Sequence, residues 1–260
     1  MRLTRVYTDA PLVPGEKVAI EGSAANHITR VLRLRVADTV TLFNGTNQEY
    51  DASIEAFHKD AVVVAIREER SGDRESPLQL ILAQGISRGE RMDWILQKAT
   101  ELGASRIVPV FTERSVVRLD AKQAERKLQH WRGITISACE QCGRNRLPEL
   151  DSPLAVHEFL SRLATGQTRL LLSPTADLTI DDLAATAATT ATAATPAPHA
   201  ASALGAIVVL IGPEGGLTDL EEELALRAGF RPVRMGPRIL RTETAAIAAL
   251  TIIQQRFGDL

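Results

Sequence analysis

The chain has only two cysteines, no apolar run long enough to cross a bilayer and no excess of positive charge. Each shortage excludes something. Cys139 and Cys142 form a Cys-x-x-Cys pair, but two thiols cannot complete a tetrahedral zinc site, and no histidine pair stands at finger spacing to finish one, so no metal is expected. The pair falls toward the end of an expected helix rather than after a strand, which reads as small packing residues and not as a thioredoxin-like redox motif. No segment approaches the ~20 apolar residues of a membrane helix. Residues 1–17 carry charges and prolines where a signal peptide has its apolar core. No membrane partner and a cytoplasmic location are the expectation. A dinucleotide turn, G-x-G-x-x-G, is missing, as is the Lys-Ser/Thr that ends a phosphate-binding P-loop, which weighs against a nucleotide-dependent oxidoreductase.

What is present suits an ordinary globular protein: 260 residues, 45% hydrophobic and 24% charged, enough for two domains of usual size. The formal net charge of −2 conceals clusters of basic residues. Arg2, Arg5, Arg30, Arg33 and Arg35 lie near the start, and a second group runs from Arg106 to Arg146. Such clusters either follow a phosphate backbone, releasing counterions, or are simply solvated helix faces. Charge alone leaves both open.

Residues 1 to about 70 read as short strands: Lys17 to Ile20, Thr39 to Phe43, Glu49 to Ala56 and Ala61 to Ile66, punctuated by the turn Asn44-Gly45. Asn26 to Leu32 reads as a helix between the first two. The expectation is a small N-terminal β-barrel, residues 1–70, followed by a linker at 71–77 within the polar run from Glu68 to Pro77. From Leu78 the period changes, and strands alternate with helices through to the end, which argues for an α/β domain with a parallel sheet over 78–260. Its helices include a Met92, Ile95, Ala99, Leu102 face closed by Gly103, a long one from Ala121 to about Gln141, and Thr242 to Phe257. The Ala/Thr-rich run 184–202 reads as a surface insertion.

The chemistry concentrates in two loops. Ile207 to Ile211 is an apolar strand entering Gly212-Pro213-Glu214-Gly215-Gly216. Glycines there let a ligand approach backbone N–H and C=O groups. Thr218 and Glu221 then have capping-box spacing, so a helix begins at Thr218. The second loop, Met235-Gly236-Pro237-Arg238-Ile239-Leu240-Arg241, again joins a strand to a helix, and Leu172-Ser173-Pro174 ends a third strand. In open α/β sheets, ligands sit beyond the carboxyl ends of strands.

These residues carry a resemblance. Ile211 to Gly216 together with Gly236-Pro237-Arg238-Ile239-Leu240-Arg241-Thr242-Glu243-Thr244-Ala245 resemble the SPOUT-superfamily 16S ribosomal RNA uridine-N3 methyltransferases. Lys98 to Gly103, Glu113-Arg114-Ser115 and Glu140 to Arg144 are similar to further blocks of that family, and His27 to Arg35 with Leu42 to Gly45 resemble its N-terminal PUA-like barrel. The resemblance spans nearly the whole chain. Two features depart from it: Ala37-Asp38 stands where the family has Gly-Asp, and the Ala/Thr-rich insertion has no counterpart.

The resemblance implies a C-terminal SPOUT trefoil-knot domain holding S-adenosyl-L-methionine, and a homodimer acting on 16S ribosomal RNA or the assembled small ribosomal subunit. It implies that Leu172, Ser173 and Ile211, the loop Gly212, Pro213, Glu214, Gly215 and Gly216, then Met235, Gly236, Ile239 and Leu240, and finally Thr242, Thr244 and Ala245 surround this cofactor. Arg241, Arg144 or Arg238 would stabilise charge on the uracil oxygens, and Glu243 would orient an arginine or accept a proton. Arg2, Arg5, Tyr7, His27, Arg30, Arg33 and Arg35 would hold RNA. The alternative reading is a non-catalytic RNA-binding protein of the same fold.

Overall fold

The computed structural model describes residues 4–182 and 205–260. Arg2 and the insertion 184–202 lie outside them. Two compact units emerge, residues 1–75 with 136–147, and residues 76–135 with 148–260.

The first unit is built on a five-stranded sheet in the order β1-β3-β4-β5-β2. Its strands are β1 (Arg5–Tyr7), β2 (Lys17–Glu21), β3 (Thr39–Phe43), β4 (Gln48–Phe57) and β5 (Ala61–Ser71). Pairing is antiparallel except for β1, which runs parallel to β3. Alternation of Val62, Val64 and Ile66 on one face of β5 drives these side chains into a core with Ile20, Ile28, Val40, Leu42 and Ile54. Three details differ from the sequence reading. Strand β1 is too short to have been read. The helix begins earlier, as α1 (Gly22–Asn26) continuing into a wider helical turn over His27–Val31. Ser71, the first residue of the expected linker, instead ends β5, because the backbones of Glu68 to Ser71 pair with β4 from Gln48 to Asp51.

The second unit is a parallel sheet of seven strands. Its path is β12-β10-β11-β6-β7-β8, with β9 also on β7: β6 (Leu80–Gly85), β7 (Arg106–Phe111), β8 (Glu149–Leu150), β9 (Leu154–Ala155), β10 (Thr168–Leu172), β11 (Ile207–Ile211) and β12 (Arg231–Val233). The helices are α2 (Glu90–Glu101), α3 (Ala121–Cys142), α4 (Val156–Ser161), α5 (Asp219–Arg227) and α6 (Thr242–Phe257). The last turns of α3, from residue 136, belong to the first unit. Strand β11 is buried throughout. Ile207, Val209 and Ile211 pack toward α2 and α6, and Val208 and Leu210 pack on the opposite face with Phe159 and Phe230. This is why its sequence is an unbroken apolar run and not an alternating one.

Local signals set the helix ends. Gly103 closes α2 at φ 77°, a left-handed conformation that glycine adopts without a Cβ penalty. At the start of α5 the Thr218 hydroxyl accepts from the Glu221 N–H while the Glu221 carboxylate accepts from the Thr218 N–H, a complete capping box.

Candidate functional site: a cleft at the carboxyl ends of three parallel strands

Strands β10, β11 and β12 are parallel neighbours, so the loops that follow them emerge at one end of the sheet. They border a cleft of about 530 Å³, within the roughly 300–1,000 Å³ usual for small-molecule sites. Leu172, Ser173 and Pro174 come from the first loop, Ile211, Gly212, Pro213, Glu214, Gly216 and Leu217 from the second, and residues 233–236 and 238–243 with Ala245 from the third. The two glycine loops thus form one cavity wall.

The second loop is held at both its ends. The Gly216 N–H donates to the Pro213 carbonyl at 2.9 Å, closing a turn that needs φ 71° at Gly216. A Cβ on Gly212 would stand 3.0 Å from the backbone of Gly216, and one on Gly215 would stand 2.9 Å from the Arg114 Cβ. Side chains at either position would push the loop open. Behind it, the Gln84 amide at the end of β6 donates to the Thr242 hydroxyl at 2.9 Å, which itself donates to the Gly212 carbonyl. A Cβ on Gly85 would meet Pro213 at 2.5 Å, so only glycine lets β6 and the loop approach this closely.

Acidic and basic groups share the rim. Arg91, at the start of α2, donates to Glu214 at 2.7 Å, and its Nε lies 3.8 Å from Glu243. Burial works to raise the Glu214 pKa, but hydrogen bonds from the Arg91 side chain and the Arg88 N–H outweigh it and hold the carboxyl below its ordinary range. Glu243, the second residue of α6, is buried, and its Oε2 has no hydrogen-bond partner among the described residues. Arg238 and Arg241 line the cleft from exposed positions.

Most of the expected ligand residues are therefore brought together. Gly215 and Thr244 are not part of the lining: Gly215 packs against Arg114, and Thr244 is exposed on α6. Arg144 does not line the cleft either. It belongs to the first unit, where its buried guanidinium donates through Nε and Nη2 to Glu75 at 3.0 and 2.6 Å. Arg91, Glu222 and Arg234 border the cleft without having been singled out. The signal for Arg91 was its place just beyond β6, the neighbour of β11 in a parallel sheet.

The expected RNA-binding residues divide. Arg30, Arg33 and Arg35 are exposed, with no ion pair or side-chain hydrogen bond among the described residues. The side chain of Arg5 is buried, pairing with Glu49 and donating to Asn145 at 2.6 Å, over the Phe43 ring. Tyr7 is also buried, its hydroxyl donating to Asp9 at 2.6 Å, and the His27 ring lies 3.8 Å from the Glu140 carboxylate. Cys139 packs beside Tyr7 and Phe43, and burial pushes its thiol up to about 12, away from reactive thiolate. Among the described residues no helix is long and apolar enough to cross a membrane, and no cluster of His, Cys, Asp and Glu could hold a metal ion.

Comparison with known proteins agrees with this architecture. Residues 74–254 match the family described as an RNA methyltransferase domain, and residues 20–67 match an RNA methyltransferase PUA domain. The ribosomal RNA small subunit methyltransferase E of Buchnera aphidicola subsp. Schizaphis graminum is 34% identical over 100% of this chain and 98% of its own length. That of Bacillus subtilis is 32% identical over 90% and 88%. Among solved structures, a protein from Legionella pneumophila in complex with the bound cofactor SAM is 40% identical, with a TM-score of 0.88 and coverage of 100% of both chains. The Neisseria gonorrhoeae ribosomal RNA small subunit methyltransferase E bound to S-adenosyl methionine is 37% identical, with a TM-score of 0.84 and 99% coverage of each. The chain belongs to the RNA methyltransferase family, as a member of its ribosomal RNA small subunit methyltransferase E group.

Proposed function

We propose that this protein transfers a methyl group from S-adenosylmethionine to N3 of a uridine in 16S ribosomal RNA. The observation that carries the reading is the single cleft walled by two glycine loops at the ends of neighbouring parallel strands. Its walls suit the cofactor. Gly212, Gly216 and Gly236 leave backbone groups open to an adenine edge, Leu172, Ile211 and Leu240 offer apolar surface, and Glu214 and Glu243 suit a cationic group. The trefoil knot implied by the family resemblance belongs to this reading, as does a cytoplasmic location.

When bound, S-adenosylmethionine supplies an electrophilic methyl group on a sulfonium. The chain's own residues have to make a neutral imide nitrogen nucleophilic. Uracil N3 must lose its proton during or before attack, leaving negative charge on O2 and O4. Arg241 and Arg238 are cations at the cleft that can receive that charge without surrendering protons of their own. Glu243 supplies a buried carboxylate that can take the proton or fix an arginine. Arg144, committed to Glu75, would need that pair to open before it could join them.

RNA would be positioned by Arg30, Arg33 and Arg35 of the first unit, through phosphate contacts that carry no sequence information. The reading includes a homodimer, which would cover exposed apolar side chains such as Trp94, Leu220 and Ile239 of the second unit. The experiment is incubation of the protein with labelled S-adenosylmethionine and small-subunit particles from cells lacking it, then nucleoside analysis. Label in 3-methyluridine is expected. Label in another nucleoside would overturn the choice of atom, and no transfer to particles or bare RNA would overturn the enzymatic reading.

A further inference from the structure

Four arginines and three glutamates border the cleft, but they are not equally exposed to water. The side chains of Glu243 and Glu214 are 10% and 25% exposed, against 42% for Arg91. Arg234, Arg238 and Arg241 are exposed, and Glu222 is half-buried. Salt and water screen the exposed arginines, whereas the buried Glu243 carboxylate acts through protein.

Arg91 is the cation that both carboxylates share. It hydrogen-bonds Glu214, which also accepts from the Arg88 N–H at 3.1 Å. Glu243 receives no hydrogen bond from it: the nearest approach is 3.8 Å, to Oε1, and Oε2 is buried without a partner among the described residues. With Arg91 hydrogen-bonded to Glu214, the buried Glu243 carboxylate has no hydrogen-bonded cation of its own among the described residues.

We infer that Glu243 makes the cleft read ligand charge, favouring the cationic sulfonium donor over the neutral thioether product. The inference rests on the methyltransferase reading and adds to it. Transfer breaks the S–CH3 bond, whose electron pair stays on sulfur, and forms the N3–CH3 bond; the N3 proton leaves for a base or solvent. The adenosyl ligand therefore loses one positive charge at the moment of reaction. A carboxylate beneath the cleft acts on that difference through space and needs no contact with the ligand. At an effective dielectric intermediate between protein and water, a separation of several ångströms makes this worth about tenfold in relative affinity. The product is thereby released instead of retained.

The test is calorimetric titration of the full chain with S-adenosylmethionine, S-adenosylhomocysteine and sinefungin, whose amine keeps a positive charge where the sulfonium stood. Glu243→Gln should weaken the two cationic ligands by about tenfold while leaving the thioether unchanged. Arg91→Met should act oppositely, raising the preference for the cations, because it removes the compensating charge. Melting curves establish that both variants are folded, and if Glu243→Gln is not, the direction of the Arg91→Met change decides. Parallel weakening of all three ligands in Glu243→Gln, or a preference untouched by either variant, overturns the inference alone. Failure of the unaltered protein to bind any of the three overturns the methyltransferase reading, and this inference with it.

Discussion

The Thr242 hydroxyl donates to the Gly212 carbonyl at 2.7 Å, joining the first turn of α6 to the glycine loop after β11. The same oxygen accepts from the Gln84 amide, so three segments meet at one buried atom. Thr242→Val keeps the shape and removes the hydroxyl, leaving the Gly212 carbonyl only the 3.4 Å bond from the Gln84 amide, which also keeps the Gly85 carbonyl, at a cost of about 1 kcal/mol. We expect a lower melting temperature and weaker S-adenosylmethionine binding, with Thr242→Ser restoring both. Binding unchanged in a destabilised Val variant would show that the bond braces the fold but not the loop.

Ala37 occupies φ 73°, a left-handed conformation, while its N–H donates to the Ile54 carbonyl at 2.8 Å. The structure here keeps, with a Cβ attached, a conformation that glycine adopts without penalty. Asp38 stabilises the bend by accepting from the Arg35 N–H at 2.7 Å. A left-handed alanine costs about 1–2 kcal/mol, and glycine gives back part of that through its freer unfolded chain. Ala37→Gly should therefore stabilise the protein by about 0.5–1 kcal/mol, read as a higher urea midpoint at constant m-value. A lower midpoint would mean that the Ala37 Cβ contributes packing that outweighs the strain.

What could be read ahead of the structure was local. The glycine loops, the Thr218 cap and the Gly103 stop are each fixed by residues within a few positions, so their chemistry stands in the sequence itself. Arg5 and Tyr7 show the converse. Both sit in a short basic N-terminal stretch that suits an RNA face, yet Glu49 and Asn145, distant in the chain, bury Arg5 in a network no local pattern announces. Arg91 was hard to read for a related reason: its bond to Glu214 spans 123 positions and depends on β6 lying beside β11. The beginning of α1 was displaced because its N-cap residue, Glu21, makes no side-chain capping hydrogen bond that would mark the start.

Glu49 is nearly buried in the first unit and accepts from Arg5 and, at 3.2 Å, from Arg74. Burial would raise its pKa, but the hydrogen bonds from the two arginines outweigh that and hold it below the ordinary carboxylate value. A folded-state pKa lower than the unfolded one means that the stabilisation is complete above the unfolded pKa of about 4.3. It is lost as pH falls through the lower, folded value. Glu49→Gln should cost about 2–4 kcal/mol at neutral pH, since Arg5 loses its buried counter-charge while keeping Asn145. The difference between the variant and the parent should shrink as the pH is lowered below about 4. Denaturation midpoints measured from pH 7 downward check both statements, and a gap independent of pH would assign the effect to packing alone.

Arg241 precedes α6 as its N-cap residue, yet its side chain makes no capping hydrogen bond. It lines the cleft at an exposed position immediately before the Thr242 brace and Glu243. Its backbone carbonyl accepts from the Ala245 N–H at 2.8 Å, so the main chain is anchored whatever the side chain does. Arg241→Ala should therefore leave the fold and S-adenosylmethionine affinity close to those of the parent. If the guanidinium receives charge from the uracil oxygens as N3 loses its proton, single-turnover methylation at saturating cofactor and RNA should fall by about 10²–10³, the usual loss for one removed transition-state donor. Arg241→Lys should recover part of the rate, because charge is retained while the planar fork is lost. A rate unchanged in Arg241→Ala would move the charge-stabilising role to Arg238, for which the same pair of substitutions provides the measurement.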